Sequence, residues 1–346
     1  MELSDIVVTE DITVLEAMDT INKNGYGTAF VCNDKKLLAV VTDGDIRRHI
    51  LKNGNLNEPV KLIANYKPLS LTQGASVDYT TFMMKHHITT IPIIDKSQKI
   101  ISVQCLYKNT ISKNIKLDTP VVIMAGGKGS RLYPYTDILP KPLIPIGDKT
   151  IIEHIMDHFE AFGCSKFDVI VNYKKNLIRS YFADIENKRN VDFIEEQQFY
   201  GTGGGLKLLA GKYTQPFFMS NCDIIIEEDY AKILDYHKSE QHIITIVSAM
   251  KNVTIPYGTI HINDNGQVLQ LKEKPSFSFM TNTGLYIIDP AFLERIPDDT
   301  FIHITDVIQN CIDQGDKVGV YPISEQSWMD MGQIGELEKM KLRLEL

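Results

Sequence analysis

Apolar positions between residues 120 and 346 fall into two kinds of run. Short, mostly apolar runs, VVIMA from Val121, FDVIV from Phe167 and the stretch from Phe217 to Ile226, read as buried strands. Other stretches space their apolar residues at helical intervals, as at 151, 152, 155, 156, 159 and 162. There Thr150 and Glu153 form a capping box and Gly163 supplies the stop. The same spacing predicts a helix over 177–185, a hairpin turning at Asp264-Asn265-Gly266, and a closing charged amphipathic helix in GELEKMKLRLEL. Strands alternating with helices predict an α/β layered domain with a mostly parallel sheet. Ligands of such sheets gather at the carboxyl ends of the strands.

Residues 1–117 follow a different pattern, and they follow it twice. VLEAMDTINKNG puts apolar residues at 14, 15, 18 and 21, a helical stripe closed by Gly25. Strands are expected at Phe30-Val31 and at 37–41, with a charged turn between them. A constant shift of 63 positions carries Thr9 to Thr72, Val14 to Val77, Ile21 to Met84 and Leu37 to Ile100. One ungapped register of this kind marks an internal duplication, with copies at about 1–58 and 59–117. Residues 112–119, SKNIKLDT, read as a short polar linker, and the fold is expected to restart at Pro120.

The chemistry concentrates after the run at Val121. The strand stops at Gly126-Gly127-Lys128-Gly129-Ser130-Arg131, where three glycines in four positions let backbone N–H groups crowd against one ligand. Arg131 offers a planar fork, and Lys141, held between two prolines, offers a point charge. Together these suit a polyphosphate. A plain glycine-rich turn between strand and helix is the structural alternative. The P-loop pattern fails because Gly129 follows Lys128. The dinucleotide pattern fails because Leu132 stands where its third glycine belongs.

Bulk properties narrow the setting. The 346 residues suggest two domains, and 43% hydrophobic with 23% charged residues describes a globular chain with material for a core. A formal charge of −8 argues against general nucleic-acid binding, so an anion site must be a local cationic pocket. Five scattered cysteines, with no C-x-x-C pair, suggest reduced and mostly buried thiols in a cytoplasmic protein. The start lacks the pattern of a secretory signal, and no apolar run approaches a membrane span.

The long pattern Gly-Gly-x-Gly-x-Arg-Leu-x-Pro, then Pro-Lys-Pro-Leu, resembles the signature of sugar-1-phosphate nucleotidyltransferases, with Ser130 where the family usually has Thr. The resemblance covers residues 120–346. It implies a Rossmann-like mixed sheet and a reaction in which a sugar-1-phosphate attacks the α-phosphorus of an NTP. It places Ala125, Gly126, Gly127, Gly129 and Ser130 on the nucleotide. Arg131 goes to the triphosphate, and Lys141 to the leaving pyrophosphate or the transferring phosphoryl group. In EEQQFYGTGGGL, beginning at Glu195, Tyr200 and Gly203 replace a Leu and an Ala of the family. Glu196, Gly201 and Thr202 keep places implied to face the base and sugar. Asp223, and Asp330 in Trp328-x-Asp330-x-Gly332, are implied ligands of Mg²⁺, although Asp223 could instead cap a turn. Glu273 and Lys274 of Glu-Lys-Pro, with Asn282, Thr283 and Gly284, are implied to hold the sugar phosphate. A solvated strand face is the structural alternative for Lys274.

The doubled module resembles a tandem CBS pair, an α+β unit that binds adenine or other nucleotides between copies. Thr42 and Asp45 of VTDGDIRR are its implied ribose contacts. Asp45 could equally cap a helix over 46–53 that Gly54 ends. Cys105 and Lys108 take the equivalent places in the second copy, which leaves at most one nucleotide per module, or a purely structural, dimerising pair. A CBS pair ahead of a transferase is similar to bacterial guanylyltransferases for cell-surface sugars, including glucosamine-1-phosphate enzymes of legionaminic-acid synthesis. GTP with glucosamine-1-phosphate is the substrate pair this suggests, with mannose-1-phosphate or another hexose-1-phosphate as the alternative. A homo-oligomer without nucleic-acid or membrane partners is implied. A non-catalytic nucleotide sensor is the alternative of another class.

Overall fold

The computed structural model describes residues 3–74, 77–86, 88–105, 117–185 and 189–344. They form two compact units, Met1–Ile111 and Ser112–Leu346.

The first unit contains β1 (Val7–Val8), α1 (Val14–Asn24), β2 (Thr28–Asn33), β3 (Lys36–Thr42) and α2 (Asp43–Leu51). Then come β4 (Leu71–Thr72), α3 (Tyr79–Lys85), β5 (Thr90–Ile94) and β6 (Ile100–Cys105). β1 runs parallel to β2 and β2 antiparallel to β3; β4, β5 and β6 repeat this arrangement. The copies meet where Leu37 N–H donates to Gln98 O and Ile100 N–H donates to Lys35 O, each at 2.9 Å. Ile6, Phe30, Cys32, Leu37 and Ile100 pack into one core. Thr13 and Glu16 cap the start of α1, and Gly25 ends it at φ 66°.

The helix expected over 46–53 starts three residues earlier. Thr42 is its cap residue, and Asp45 is the reciprocal partner in a capping box. The Asp45 carboxylate accepts from Thr42 N–H (2.9 Å) and Thr42 Oγ1 (2.7 Å). The helix ends at Leu51, ahead of Gly54. Gly54 is required because a Cβ there would lie 2.2 Å from the His49 ring. Lys108 lies outside the described residues.

The second unit opens with β7 (Val121–Ala125), the one-turn helix α4 (Tyr135–Ile138), the short pair β8 (Pro145–Ile146) and β9 (Lys149–Thr150), and α5 (Ile151–Ala161). There follow β10 (Lys166–Val171), α6 (Lys175–Asp184), β11 (Asn190–Glu195), the one-turn helix α7 (Gly201–Gly204), β12 (Phe217–Asn221), β13 (Ile224–Ile226) and α8 (Tyr230–Glu240). The remainder is β14 (Ile244–Thr254), β15 (Thr259–Ile262), β16 (Val268–Lys272), β17 (Ser276–Ile288), α9 (Ile304–Asp313), β18 (Val318–Ser324), β19 (Trp328–Asp330) and α10 (Ile334–Arg343). Seven strands form one sheet in the order β11-β10-β7-β12-β17-β14-β18. Only β17 runs against its neighbours, so the sheet is mixed and mostly parallel.

Burial on both faces explains the unbroken apolar run of β7. Val121, Ile123 and Ala125 enter one core with Ile152, Phe159, Tyr230 and Leu337, while Val122 and Met124 enter another with Phe292 and Ile308. Thr150 and Glu153 form the expected capping box at α5. Leu117 and Thr119 of the expected polar linker are buried. Residues 112–116 lie outside the described residues, but Leu117 is buried and donates its N–H to Phe162 O at 2.8 Å. Packing of the second unit therefore begins before Pro120.

Candidate active site

Four adjacent parallel strands end side by side, and each delivers a functional residue just beyond its last ladder bond. In register, Val171 of β10 faces both Ala125 of β7 and Glu195 of β11, and Asn221 of β12 faces Met124. Glu196, Asn172, Gly126 and Asp223 are thereby placed along one sheet end.

Ala125 and Gly126 are buried, whereas Gly127, Ser130 and Arg131 are exposed. Nothing lies within 4 Å of where a Cβ on Gly127 would be, so the turn is open on that side. Gly129 sits at φ 66°, and a Cβ there would meet Lys141 Cβ at 3.1 Å and Thr136 Cγ2 at 3.0 Å. Glycine thus brings the turn against Lys141, whose ammonium donates to Asp223 Oδ2. The pair is nearly dry, at 12% and 11% side-chain exposure.

Asp330 reaches the same place by a separate route. β13 pairs antiparallel with β19, setting Ile224 opposite Asp330, and Met331 N–H donates to Asp223 O at 2.8 Å. Burial raises the Asp330 carboxyl above the usual carboxylate range, and the Asp223 charge raises it further. Gly332 N–H, Lys141 and Arg131 oppose that shift. Two half-desolvated carboxylates repelling each other, with a lysine and an arginine alongside, suit a cation carried in with phosphates. Among the described residues no cluster of three or more metal-ligating side chains exists. Two carboxylates fit Mg²⁺, which takes its other ligands from phosphate and water.

Glu196 is 3% exposed, and burial pushes its carboxyl up to about 7. Oε1 accepts a long bond from Tyr200 N–H (3.4 Å), while Oε2 has no partner. A Cβ on Gly126 would lie 2.4 Å from Oε2, and one on Gly205 would lie 2.6 Å from Oε1. The carboxylate is therefore wedged between the two glycine clusters, with one oxygen unspent.

The second cluster packs against the segment that leads into α9. Gly203 and Gly204 donate their N–H groups to Ile302 O, and Ile302 N–H returns a bond to Tyr200 O. A Cβ on Gly201, Gly203 or Gly204 would meet the backbone of residues 300–304 at 2.4–2.9 Å. The Thr202 hydroxyl accepts from Ile304 N–H at the start of α9. Gly201 thus packs against the backbone of Ile302, and the Thr202 hydroxyl is engaged by Ile304 N–H.

The implied sugar-phosphate residues divide. Asn282 donates to Tyr286 Oη (2.7 Å) and accepts from Gly284 N–H, while the buried Thr283 hydroxyl donates to Val247 O. Gly284, at φ 90°, admits the Asn221 side chain to 2.4 Å of where its Cβ would be, two residues from Asp223. Glu273 and Lys274 are exposed beyond β16, and no described hydrogen bond or ion pair joins them to the aspartates. Asn172, Tyr173 and Lys174 were missed from sequence. Their signal was positional, directly after the strand beside β7.

Comparison with known proteins agrees with this geometry. Residues 120–345 match the nucleotidyl transferase family model, and residues 2–52 match the CBS domain model. Mannose-1-phosphate guanyltransferase of Hypocrea jecorina is 33% identical over 51% of this chain and 50% of its own. Bifunctional protein GlmU of Methanocaldococcus jannaschii is 31% identical over 61% of this chain and 50% of its own. The chain thus spans half the length of these relatives. The crystal structure of HddC from Yersinia pseudotuberculosis superposes with a TM-score of 0.52 and 26% identity, covering 65% of this chain and 99% of that one. With the family model covering residues 120–345, well over half of the chain, and a CBS domain ahead of it, the chain belongs to the nucleotidyl transferase family.

Proposed function

We propose that the chain joins a hexose-1-phosphate to GTP, giving a GDP-sugar and pyrophosphate. The observation carrying this reading is the meeting of Lys141, Asp223 and Asp330 beside an open glycine turn, with the Arg131 charge within reach of Asp330. Two reactants that repel each other as strongly as these need positioning and counter-charge more than proton transfer. A sugar-phosphate oxygen forms a bond to the α-phosphorus as the bond to the β-phosphate bridging oxygen breaks. Pyrophosphate leaves with that electron pair. The nucleophile is already an anion, so no general base is required. Glycine amides and Arg131 hold the triphosphate, and Lys141 steadies the transferring or leaving group. Asp223 and Asp330 would hold Mg²⁺, which supplies positive charge to the phosphates. Asn282, Thr283 and Gly284, with Glu273 and Lys274, are assigned to the sugar phosphate.

Glu196 supports guanine as the base. A buried carboxylate with an unspent oxygen suits an edge that presents N–H donors side by side, as guanine does. Uracil and thymine present one N–H between two carbonyls, which would leave the carboxylate facing acceptors. For the sugar, the named relatives support mannose-1-phosphate, and the CBS-bearing architecture supports glucosamine-1-phosphate. Pyrophosphate release measured with GTP, UTP, CTP and dTTP against glucosamine-, mannose- and glucose-1-phosphate tests the reading. Release with GTP and one hexose phosphate is expected. Nucleotide binding without release from any pair would favour a sensor instead.

The CBS unit is assigned at most one nucleotide, through Thr42 and Asp45, and a thermal shift with AMP, GMP or CMP lost in Asp45→Ala checks it. Self-association is proposed from the β15–β16 hairpin, where Ile260, Ile262, Leu269 and Leu271 are 59–68% exposed. Light scattering of the whole chain against the Leu271→Lys variant would read it.

A further inference from the structure

We propose that Lys174 is a positioning residue that holds the glycine turn and Lys141 in register for the triphosphate. The inference rests on the nucleotidyltransferase reading above. It begins from a clamp that no implied motif includes. Just beyond β10, Tyr173 N–H donates to Gly126 O at 3.3 Å. Lys174 adopts a left-handed backbone, φ 50°, as a residue that is not glycine. Such a conformation persists only where the surroundings over-determine it, and it concentrates at functional sites.

Here the side chain is tied down as well as the backbone. The Lys174 ammonium donates to the carbonyls of Thr136 (3.3 Å), Asp137 and Ile138 (3.0 Å). All three of its N–H bonds are spent on the last carbonyls of α4, where the Tyr173 hydroxyl also donates to Thr136 O at 3.5 Å. A one-turn helix cannot hold itself together, so this cation fixes where α4 sits. The Thr136 hydroxyl then donates to Gly129 O at 3.1 Å. Its methyl and the Lys141 stem close on Gly129 from either side, at 3.0 and 3.1 Å from where a Cβ would be. The chain of contacts runs from Lys174 through α4 and Thr136 to Gly129, and from Gly129 to the lysine paired with Asp223. Among the described residues no hydrogen bond or ion pair joins the Lys174 side chain to the implied phosphate or metal ligands.

The test is steady-state pyrophosphate release by the full-length chain carrying Lys174→Met, Lys174→Arg or Thr136→Val, each normalised to folded protein. Methionine keeps the stem and removes the donors. Arginine keeps the charge and donors. Valine cuts the same relay at its far end without touching Lys174. A positioning role predicts that Lys174→Met raises KM for the NTP on the order of tenfold, because an ångström-scale displacement of the turn weakens its hold on the triphosphate. KM for the sugar phosphate should stay near wild type. Lys174→Arg should recover part of the loss, and Thr136→Val should show the same split, which keeps the proposal testable if Lys174→Met does not fold. A merely structural role would lower turnover without changing either KM, and that result, or unchanged kinetics in Lys174→Met, overturns the proposal. Wild-type chain that releases no pyrophosphate refutes the parent reading instead.

Discussion

The two glycine clusters look alike in sequence and do opposite things in the fold. Around Gly127 the absent side chain leaves open space beside exposed Ser130 and Arg131. Around Gly201, Gly203 and Gly204 the space is filled by the protein's own backbone at 300–304. Glycine in both places permits close approach. In the second case a neighbouring segment fills the approach; in the first the space stands open, as the proposed triphosphate site requires. Glu196 stands between them, pressed by Gly126 on one side and Gly205 on the other. The second cluster is thus a buttress whose product is a rigid, dry carboxylate.

The largest effect should fall on the first cluster's chemistry. Asp223→Asn keeps the shape but removes the charge between Lys141 and Asp330. Pyrophosphate release is expected to fall roughly a thousandfold, by analogy with losing a main charge-stabilising group. Circular dichroism should show an intact fold.

Next, alanine should separate the clusters. Gly204→Ala drives a Cβ to 2.4 Å from Thr300 O and should cost about 3 kcal/mol of stability, read by denaturant unfolding. Gly127→Ala meets nothing and should leave stability within about 0.5 kcal/mol while raising KM for the NTP. Equal stability losses in both variants would erase the distinction.

Glu196 gives a pH signature. Its carboxyl sits at about 7 in the folded chain because burial disfavours the charge, whereas the unfolded group titrates near 4.5. The folded state therefore loses stability from this group as pH rises from about 4.5 to about 7, and no more above that. Glu196→Gln should remove that slope from the wild-type curve. In the wild type, KM for GTP should rise as pH falls below about 7, where the carboxyl protonates and gives up an acceptor.

The smallest effect belongs to Thr202. Thr202→Val loses the acceptor for Ile304 N–H and should cost about 1 kcal/mol of stability, with KM values unchanged. A large rise in KM for the nucleotide would instead return Thr202 to the substrate.

Much of this was legible from sequence because it is local. The buried strand β7, the capping box at Thr150 and the Asp264-Asn265-Gly266 hairpin follow from neighbours in the chain. Asp223 and Asp330 were legible only through resemblance, since the β13–β19 pairing that joins them spans more than a hundred residues. For Asp45 the sequence left a ribose contact and a helix cap open; the cap is seen, but reciprocal with Thr42 at a helix that starts three residues earlier, because one Thr-x-x-Asp pattern serves either start. Lys174 was not legible at all. Its partners are carbonyl oxygens, and every residue has one of those.

The central claim is that Lys141, Asp223 and Asp330 form one phosphate-and-metal site. Its most direct test is the binding of Mn²⁺ with GTP, followed by electron paramagnetic resonance in wild type and in the Asp223→Asn/Asp330→Asn double variant. The account predicts tight, GTP-dependent Mn²⁺ binding that the double variant loses. Equal Mn²⁺ and GTP binding in both proteins would contradict it.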